Sequence, residues 1–161
     1  MFNVGDKIVY PMHGAGIIES IEEKEILGEK RNYYVMRMPL EEMKVMIPIQ
    51  SVDEIGVREV ISESDADKVF EILSEDSAGS NTNWNKRYRE NMIKIKGGNI
   101  FEVAEVVRSL MLREQEKGLS TGERKMLNSA RQILISELVL AKGMEQREIE
   151  KIIYNRVNCS K

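Results

Sequence analysis

The stretch DKIVYPMHGAGIIESIEEKEI, residues 6–26, places short runs of strand-favouring residues on both sides of a Pro/Gly turn. Ile, Val and Tyr cluster between the breaks and no sustained helical period is present, which is typical of β-strands. The pattern continues through NYYVMRM and MKVMIP to residue 48. Four or five short antiparallel strands in about 50 residues cannot form a wide sandwich, so residues 1–60 are expected to form a strongly bent antiparallel sheet or a small β-barrel.

From residue 62 onward the apolar residues follow a helical period. Residues 61–83 are expected to form a short helix, opened by Ser64 and Asp67 in a capping arrangement, and then an acidic and polar linker. Residues 84–161 are expected to form a compact all-α domain. The predicted fold class is therefore α+β, with a small β domain followed by a helical one.

The helical half is divided by capping residues. Asn83 is the expected N-cap of a helix that Gly97 and Gly98 stop. Ser120 in LSTGE is the expected N-cap of a long helix, and Glu123 three residues later would complete a capping box. The four predicted helices run from Trp84 to about Lys96, from Ile100 to about Lys117, from Ser120 to about Lys142, and through GMEQREIEKIIYNRV.

Catalytic and metal-binding motifs are absent from the sequence. Cys159 is the one cysteine and His13 the one histidine, so a disulfide within the chain is excluded and a zinc site would consist almost wholly of carboxylates. No Gly-rich phosphate loop and no Cys/His nucleophile arrangement is present. We therefore expect a protein that is not an enzyme and that needs no metal or cofactor.

Hydropathy indicates the cellular location. No apolar run approaches the length that spans a bilayer, and the N-terminal residues MFNVGDKIVY lack the charged start and long apolar stretch of a signal peptide. The expected location is cytoplasmic, without a membrane partner.

The charge of the chain is distributed unevenly. Residues 1–60 hold 7 Lys and Arg against 11 Asp and Glu, whereas residues 81–161 hold 16 against 10. This division suggests an acidic module with a protein partner and a basic module that could meet phosphate. A solvated surface without a charged partner is the alternative explanation.

The one tryptophan, Trp84, lies at the start of the basic half, in TNWNKRYREN. An aromatic side chain in the first turn of a helix can insert at a DNA base step, while Lys86, Arg87 and Arg89 hold nearby phosphates. From the residues alone, a role of Trp84 as a hydrophobic staple or as the edge of the helical core is favoured over insertion.

A second basic pair, Arg124 and Lys125, lies early in the long helix. Positive charge near a helix N-terminus is unfavourable to the helix dipole, so this pair suggests a demand other than helix stability. We expect DNA contact there, with surface solubility as the alternative.

Several segments carry a resemblance to a known family. VGDKIVYPMHGAGIIESIEEKEILGEKRNYYVMRM resembles the polymerase-interacting module of the CarD family of bacterial transcription regulators, which a transcription-repair coupling factor also carries. NWNKRYREN, VAEVVRSL and REQEKGLSTGERKMLNSARQILISEL resemble the helical DNA-binding domain of the full-length regulators. The resemblance covers nearly the whole chain except the acidic linker and the C-terminal end, and it implies a Tudor-like first domain.

The resemblance also implies partners and site residues. It implies binding to the β subunit of RNA polymerase and to promoter DNA at the upstream edge of the melted region. The family's tryptophan matches Trp84 and wedges into the minor groove, which stabilises the open complex. The residues with which the family contacts polymerase match Lys24 and Met46. Relatives often carry arginine at the position of Met46, so a charge pair with the β subunit is lost at that position. A monomer is expected, with a strand-exchanged dimer as the alternative.

Two functions of different classes stay open. The first is a regulator that bridges polymerase and promoter DNA, and the second is a protein-binding adaptor without direct DNA contact. Phosphate contact by roughly three to five cations would make DNA affinity fall steeply with salt, whereas an adaptor would not bind DNA. A third reading is a nucleoid-binding protein that acts without polymerase.

Overall fold

In the computed structural model, residues 2–40, 42–75 and 83–158 are described. The described strands are β1 (Lys7–Tyr10), β2 (Gly14–Ile26), β3 (Glu29–Met38), β4 (Met43–Pro48) and β5 (Arg58–Glu59). The described helices are α1 (Val52–Ile55), α2 (Glu63–Leu73), α3 (Trp84–Lys96), α4 (Ile100–Glu116), α5 (Thr121–Lys142) and α6 (Gln146–Asn158). Residues 76–82 of the predicted linker and Cys159 lie outside the described residues.

The first domain is one antiparallel sheet with the strand order β4-β3-β2-β1-β5. β2 and β3 pair over most of their length, and an irregularity between Ile18 and Ser20 bends β2. The predicted antiparallel strands are confirmed. Closure into a barrel is not, because β5 pairs with β1 through only Arg58 and Glu59, and β4 and β5 remain separate edges of an open sheet.

A short helix explains why the sheet stays open. The chain leaves β4 through a 3-10 turn (Ile49–Ser51) and enters α1. Val52 of α1 packs into the inner core of the sheet with Ile8 and Tyr34. Since this helix already covers part of the apolar face, the sheet does not need to curl onto itself to bury it.

The helices share one apolar core. α2 contributes Val69 and Phe70 to this core, α3 contributes Ile95, and the largest part comes from α4, α5 and α6. α2 therefore packs as part of the helical domain. Among the described helices, none is both long and apolar enough to cross a membrane.

The helix starts follow the capping residues. The side chain of Asn83 accepts a hydrogen bond from the backbone N–H of Lys86, and α3 begins at Trp84 as predicted. The Ser120 side chain accepts from the backbone N–H of Glu123 and opens α5, also as predicted.

The predicted cap of α2 is wrong. The N-cap is Ser62, whose side chain accepts a hydrogen bond from the backbone N–H of Asp65 at 3.1 Å. Ser64 and Asp67, which were expected to form the cap, lie inside the helix. Two serines two residues apart both fit an N-cap pattern, and the extended backbone of Ser62 decides between them.

The two domains are joined by Arg58, Gly98 and Glu137, which we call the interdomain cluster. The Arg58 guanidinium pairs with the fully buried Glu137 carboxylate through Nη1–Oε2 and Nη2–Oε1, at 2.7 and 2.8 Å. Its Nε and Nη2 also donate to the carbonyl oxygen of Gly98, at 3.0 and 2.8 Å, and Nη1 donates to the carbonyl oxygen of Glu59. These five bonds match the five donors of a guanidinium. Because Gly98 follows the last turn of α3, the sheet is fixed to the end of that helix.

α5 also packs directly against the sheet. The backbone N–H of Ala15 donates to the hydroxyl of Ser136 at 2.9 Å. Gly14 precedes it with φ +110°, and a Cβ at this position would lie only 2.8 Å from the Ser136 Oγ. Glycine is therefore required for the close approach of β2 to α5.

Candidate nucleic-acid interface

Trp84 lies at the first position of α3, and 43% of it is exposed. The Asn83 cap fixes the first turn of the helix and with it the direction of the tryptophan side chain. The residue lies at the edge of the helical domain, and close to half of its surface remains accessible to a partner.

Two side chains hold the indole in place. Its ring stacks on Tyr88, one helical turn later, with ring centroids 5.2 Å apart and an interplanar angle of 23°. Its Nε1–H donates to the hydroxyl of Ser120 at 3.0 Å. A Cβ on Gly122 would lie 3.7 Å from Cζ2 of the indole. The edge of the ring that carries Nε1 and Cζ2 therefore faces the first turn of α5.

Arg87 is buried beneath this site and is only 9% exposed. Its Nε and Nη2 donate to the two carboxylate oxygens of Glu123, at 2.9 and 3.2 Å, and Glu123 is 2% exposed. In this arrangement the Arg87 guanidinium lies in the interior, not on the surface where a phosphate would be bound. Glu123 was expected to complete a capping box with Ser120, but its carboxylate pairs with Arg87.

The charge state of Glu123 depends on its arginine partners. Burial of the carboxylate raises its pKa, but the hydrogen bonds and charge of Arg87 lower it, as do the charge of Arg113 and the Ser120 hydroxyl. The net pKa lies below the ordinary value for glutamate. Glu123 is therefore an anion at neutral pH, which keeps the ion pair with Arg87 formed.

The two predicted basic groups lie in the early turns of α3 and α5, the two helices whose N-terminal ends meet at Trp84. Lys86 and Arg89 are exposed on α3, and Arg124 and Lys125 are exposed in the early turns of α5, whose N-cap contacts Trp84. Within the described part of the chain, none of these four cations has an ion-pair partner. They are available to phosphate.

Lys24 and Met46 lie on the sheet, far from Trp84 along the chain. Lys24 is opposite Arg31 and Met46 is opposite Val35, and these two partners are four residues apart on β3. Because side chains alternate between the faces of a strand, all four point to the same face. Lys24 is exposed and forms a surface ion pair with Glu22, and Met46 is 40% exposed.

Sequence reasoning missed the side chains that position the site. Tyr88 could have been found, since it lies four residues after Trp84 on the same helix. Arg58 and Glu137 carry no local signal, because they are 79 residues apart and β5 is only two residues long.

Comparison with known proteins identifies both halves of the chain. Residues 2–61 match the family model of the CarD-like/TRCF RID domain, and residues 68–154 match that of the CarD C-terminal domain. The chain is 47% identical over 150 residues to the putative transcription factor YdeB of Bacillus subtilis (strain 168), and the match covers 93% of this chain and 98% of that protein.

Two solved structures are similar to part of the chain. The solution NMR structure of the N-terminal domain of Myxococcus xanthus CarD is 37% identical, with a TM-score of 0.33, and the match covers 37% of this chain and 79% of that one. CdnLNt from Myxococcus xanthus is 44% identical, with a TM-score of 0.34, and the match covers 38% of this chain and 87% of that one.

Proposed function

The chain belongs to the CarD family of transcription-associated proteins, and we propose that it bridges RNA polymerase and promoter DNA. In this proposal the sheet domain binds the β subunit of polymerase. The helical domain inserts Trp84 at the upstream edge of the promoter bubble, which prolongs the life of the open complex. No catalytic step is part of the proposal.

One observation carries the DNA half of this proposal. A partly exposed tryptophan stands at the start of α3, with one edge held against α5, and the early turns of both helices carry exposed cations that form no ion pair with the described residues. An aromatic ring in this position can enter a base step from the minor groove while the cations contact the phosphates on either side. A ring held in place loses less freedom on binding than a mobile one.

The proposed contact reads DNA deformability rather than base identity. An indole inserted at a base step offers no pattern of donors and acceptors that distinguishes base pairs, and the Trp84 N–H is already bonded to Ser120. We therefore propose weak sequence preference, with position on the promoter set by the bound polymerase.

The phosphate contacts are assigned to Lys86, Arg89, Arg124 and Lys125. Arg87, which was expected to join them, is reassigned to holding α3 against α5, because its guanidinium is buried on Glu123. The proposed site thus contains four surface cations.

The polymerase half of the proposal rests on the exposed part of the sheet. Met46 lies on the edge strand β4, whose outer backbone groups have no neighbouring strand in the described sheet. An exposed edge can pair with a strand of a partner protein, while Met46 supplies an adaptable apolar contact and Lys24 a charge on the same face.

DNA contact is tested by binding to a promoter fork junction at a series of salt concentrations. We expect wild type to show a steep dependence of log affinity on log salt, and Lys86→Ala to reduce the slope by about 1. Lys94→Ala is the matched control, since Lys94 is on the same helix but pairs with Glu105. Affinity that is independent of salt and of Lys86 would contradict DNA contact and favour the protein-binding adaptor.

Polymerase contact is tested separately by capture of the β subunit. Met46→Asp places a charge in the proposed interface, and we expect capture to be lost. Met12→Asp is the matched control, because Met12 is 41% exposed and lies outside β4, in the turn between β1 and β2. Equal capture by both variants would remove Met46 from the interface.

A further inference from the structure

The hydroxyl of Ser120 lies between two helices and reaches both. It accepts a hydrogen bond from the backbone N–H of Glu123, which caps α5, and it accepts another from Nε1–H of Trp84, at 3.2 and 3.0 Å. It also approaches the Glu123 carboxylate at 3.5 Å. A serine hydroxyl has two acceptor lone pairs and one donor, and these contacts occupy all three.

The contacts form a closed ring between the first turns of α3 and α5. Trp84 donates to Ser120, Ser120 caps the turn that carries Glu123, and Glu123 pairs with Arg87, which returns the connection to α3. We call Trp84, Arg87, Ser120 and Glu123 the N-terminal cluster. Trp84 and Arg87 are three residues apart, so both project from the same side of α3.

From this ring we infer that Ser120 is a positioning residue, which sets the orientation of the Trp84 indole before DNA is bound. The inference rests on the proposed function and deepens it. The bond to Ser120 and the stack on Tyr88 constrain the ring from two directions. Because the Nε1 edge is turned to α5, the opposite edge of the indole is the one presented to a base step.

The position of Ser120 separates this role from helix capping. A serine that only caps α5 needs no contact with α3, and Ser62 caps α2 through an equivalent bond to Asp65 without contacting the tryptophan. The two serines thus share one structural role, and only Ser120 has the second bond to Trp84.

The test uses glycine and threonine at both caps. Glycine is a good N-cap without a side chain, so Ser120→Gly removes the bond to the indole while the helix start is largely kept. Ser120→Thr retains a hydroxyl. Ser62→Gly makes the same change at a cap away from Trp84.

The first measurement is the indole N–H resonance of the free protein, which is a single signal because the chain has one tryptophan. We expect Ser120→Gly to shift this resonance and to speed its exchange with water, Ser120→Thr to restore both, and Ser62→Gly to leave both unchanged. An unchanged resonance in Ser120→Gly would overturn the inference, whatever the protein does at a promoter.

The second measurement is the lifetime of the promoter open complex with polymerase. We expect Ser120→Gly to shorten the protein's extension of that lifetime by about 2- to 10-fold, the range that one hydrogen bond supports. A shifted resonance with an unchanged lifetime, while Trp84→Ala abolishes the extension, would overturn the positioning role and keep the proposed function. If wild type gives no extension, the proposed function fails, and the functional half of this inference fails with it.

Discussion

α3 is anchored to α5 at both of its ends, and the two anchors differ in what they leave exposed. At the C-terminal end of α3, Arg58 of the interdomain cluster binds the carbonyl oxygen of Gly98. All five guanidinium donors of Arg58 are used, on the Glu137 carboxylate and on two backbone oxygens. At the start of α3, the N-terminal cluster holds Arg87 through Glu123 and leaves Trp84 partly exposed.

The two clusters also differ in charge. Arg58 and Glu137 balance each other, whereas Glu123 is influenced by both Arg87 and Arg113, and Nε of Arg113 is buried without a hydrogen-bond partner among the described residues. Two arginines, Arg87 and Arg113, thus act on the one buried carboxylate of Glu123. One anchor therefore joins the two domains, whereas the other holds two helices together and leaves an aromatic side chain exposed.

The largest effect is expected when the interdomain cluster is broken. Arg58→Ala leaves the buried Glu137 carboxylate without its charged partner, so we expect the free energy of unfolding to fall by about 3–5 kcal/mol. Urea denaturation measures this. Arg31→Ala removes an exposed pair with Glu29 and is expected to change stability by less than about 1 kcal/mol. Equal effects of the two variants would mean that the domains do not depend on this cluster.

A smaller effect is expected at the other anchor. Glu123→Gln keeps the shape of the side chain and one acceptor but removes its charge from the buried guanidinium of Arg87. We expect a loss of about 2–3 kcal/mol in the free energy of unfolding, the size of a hydrogen bond to a charged group. Urea denaturation at neutral pH measures the free energy of unfolding of Glu123→Gln and of Arg58→Ala for comparison. A loss larger than that of Arg58→Ala would reverse the ranking of the two anchors.

The smallest expected effect is a pH dependence of the free energy of unfolding, caused by Glu123 of the N-terminal cluster. The pKa of Glu123 in the folded chain lies below the ordinary value of 4.5, so the folded state binds fewer protons there than the unfolded state. The stabilisation is fully present above that pH and is lost as pH falls through the folded pKa. In urea denaturation, the difference in free energy of unfolding between wild type and Glu123→Gln should become smaller as the pH is lowered from 7 to 3. A gap that stays constant would show that the charge of Glu123 does not contribute.

Local patterns predicted the elements that present the site. Asn83 and Ser120 were identified as N-caps because capping depends on residues within one turn, and the starts of α3 and α5 follow from them. The CarD family was also identified from the sequence, and the family comparisons confirm it.

What sequence reasoning could not reach depends on distant contacts. Arg87 was assigned to phosphate since it lies in a basic run, but its partner Glu123 is 36 residues away and buries it. The choice between a bent sheet and a closed barrel stayed open because a strand pattern does not report that α1 covers part of the inner face. No local rule places Ser120 against the indole of Trp84.

The most direct test of the central claim is the lifetime of the open complex formed by the cognate polymerase on a promoter whose complexes are short-lived. Wild type, Trp84→Ala and Tyr154→Ala are compared at fixed salt, since Tyr154 is also an exposed aromatic residue, on α6. The proposed function predicts that wild type and Tyr154→Ala extend the lifetime and that Trp84→Ala largely loses the extension. Equal extension by all three proteins would contradict a role for Trp84 on DNA, and no extension by wild type would contradict the proposed function at this class of promoter.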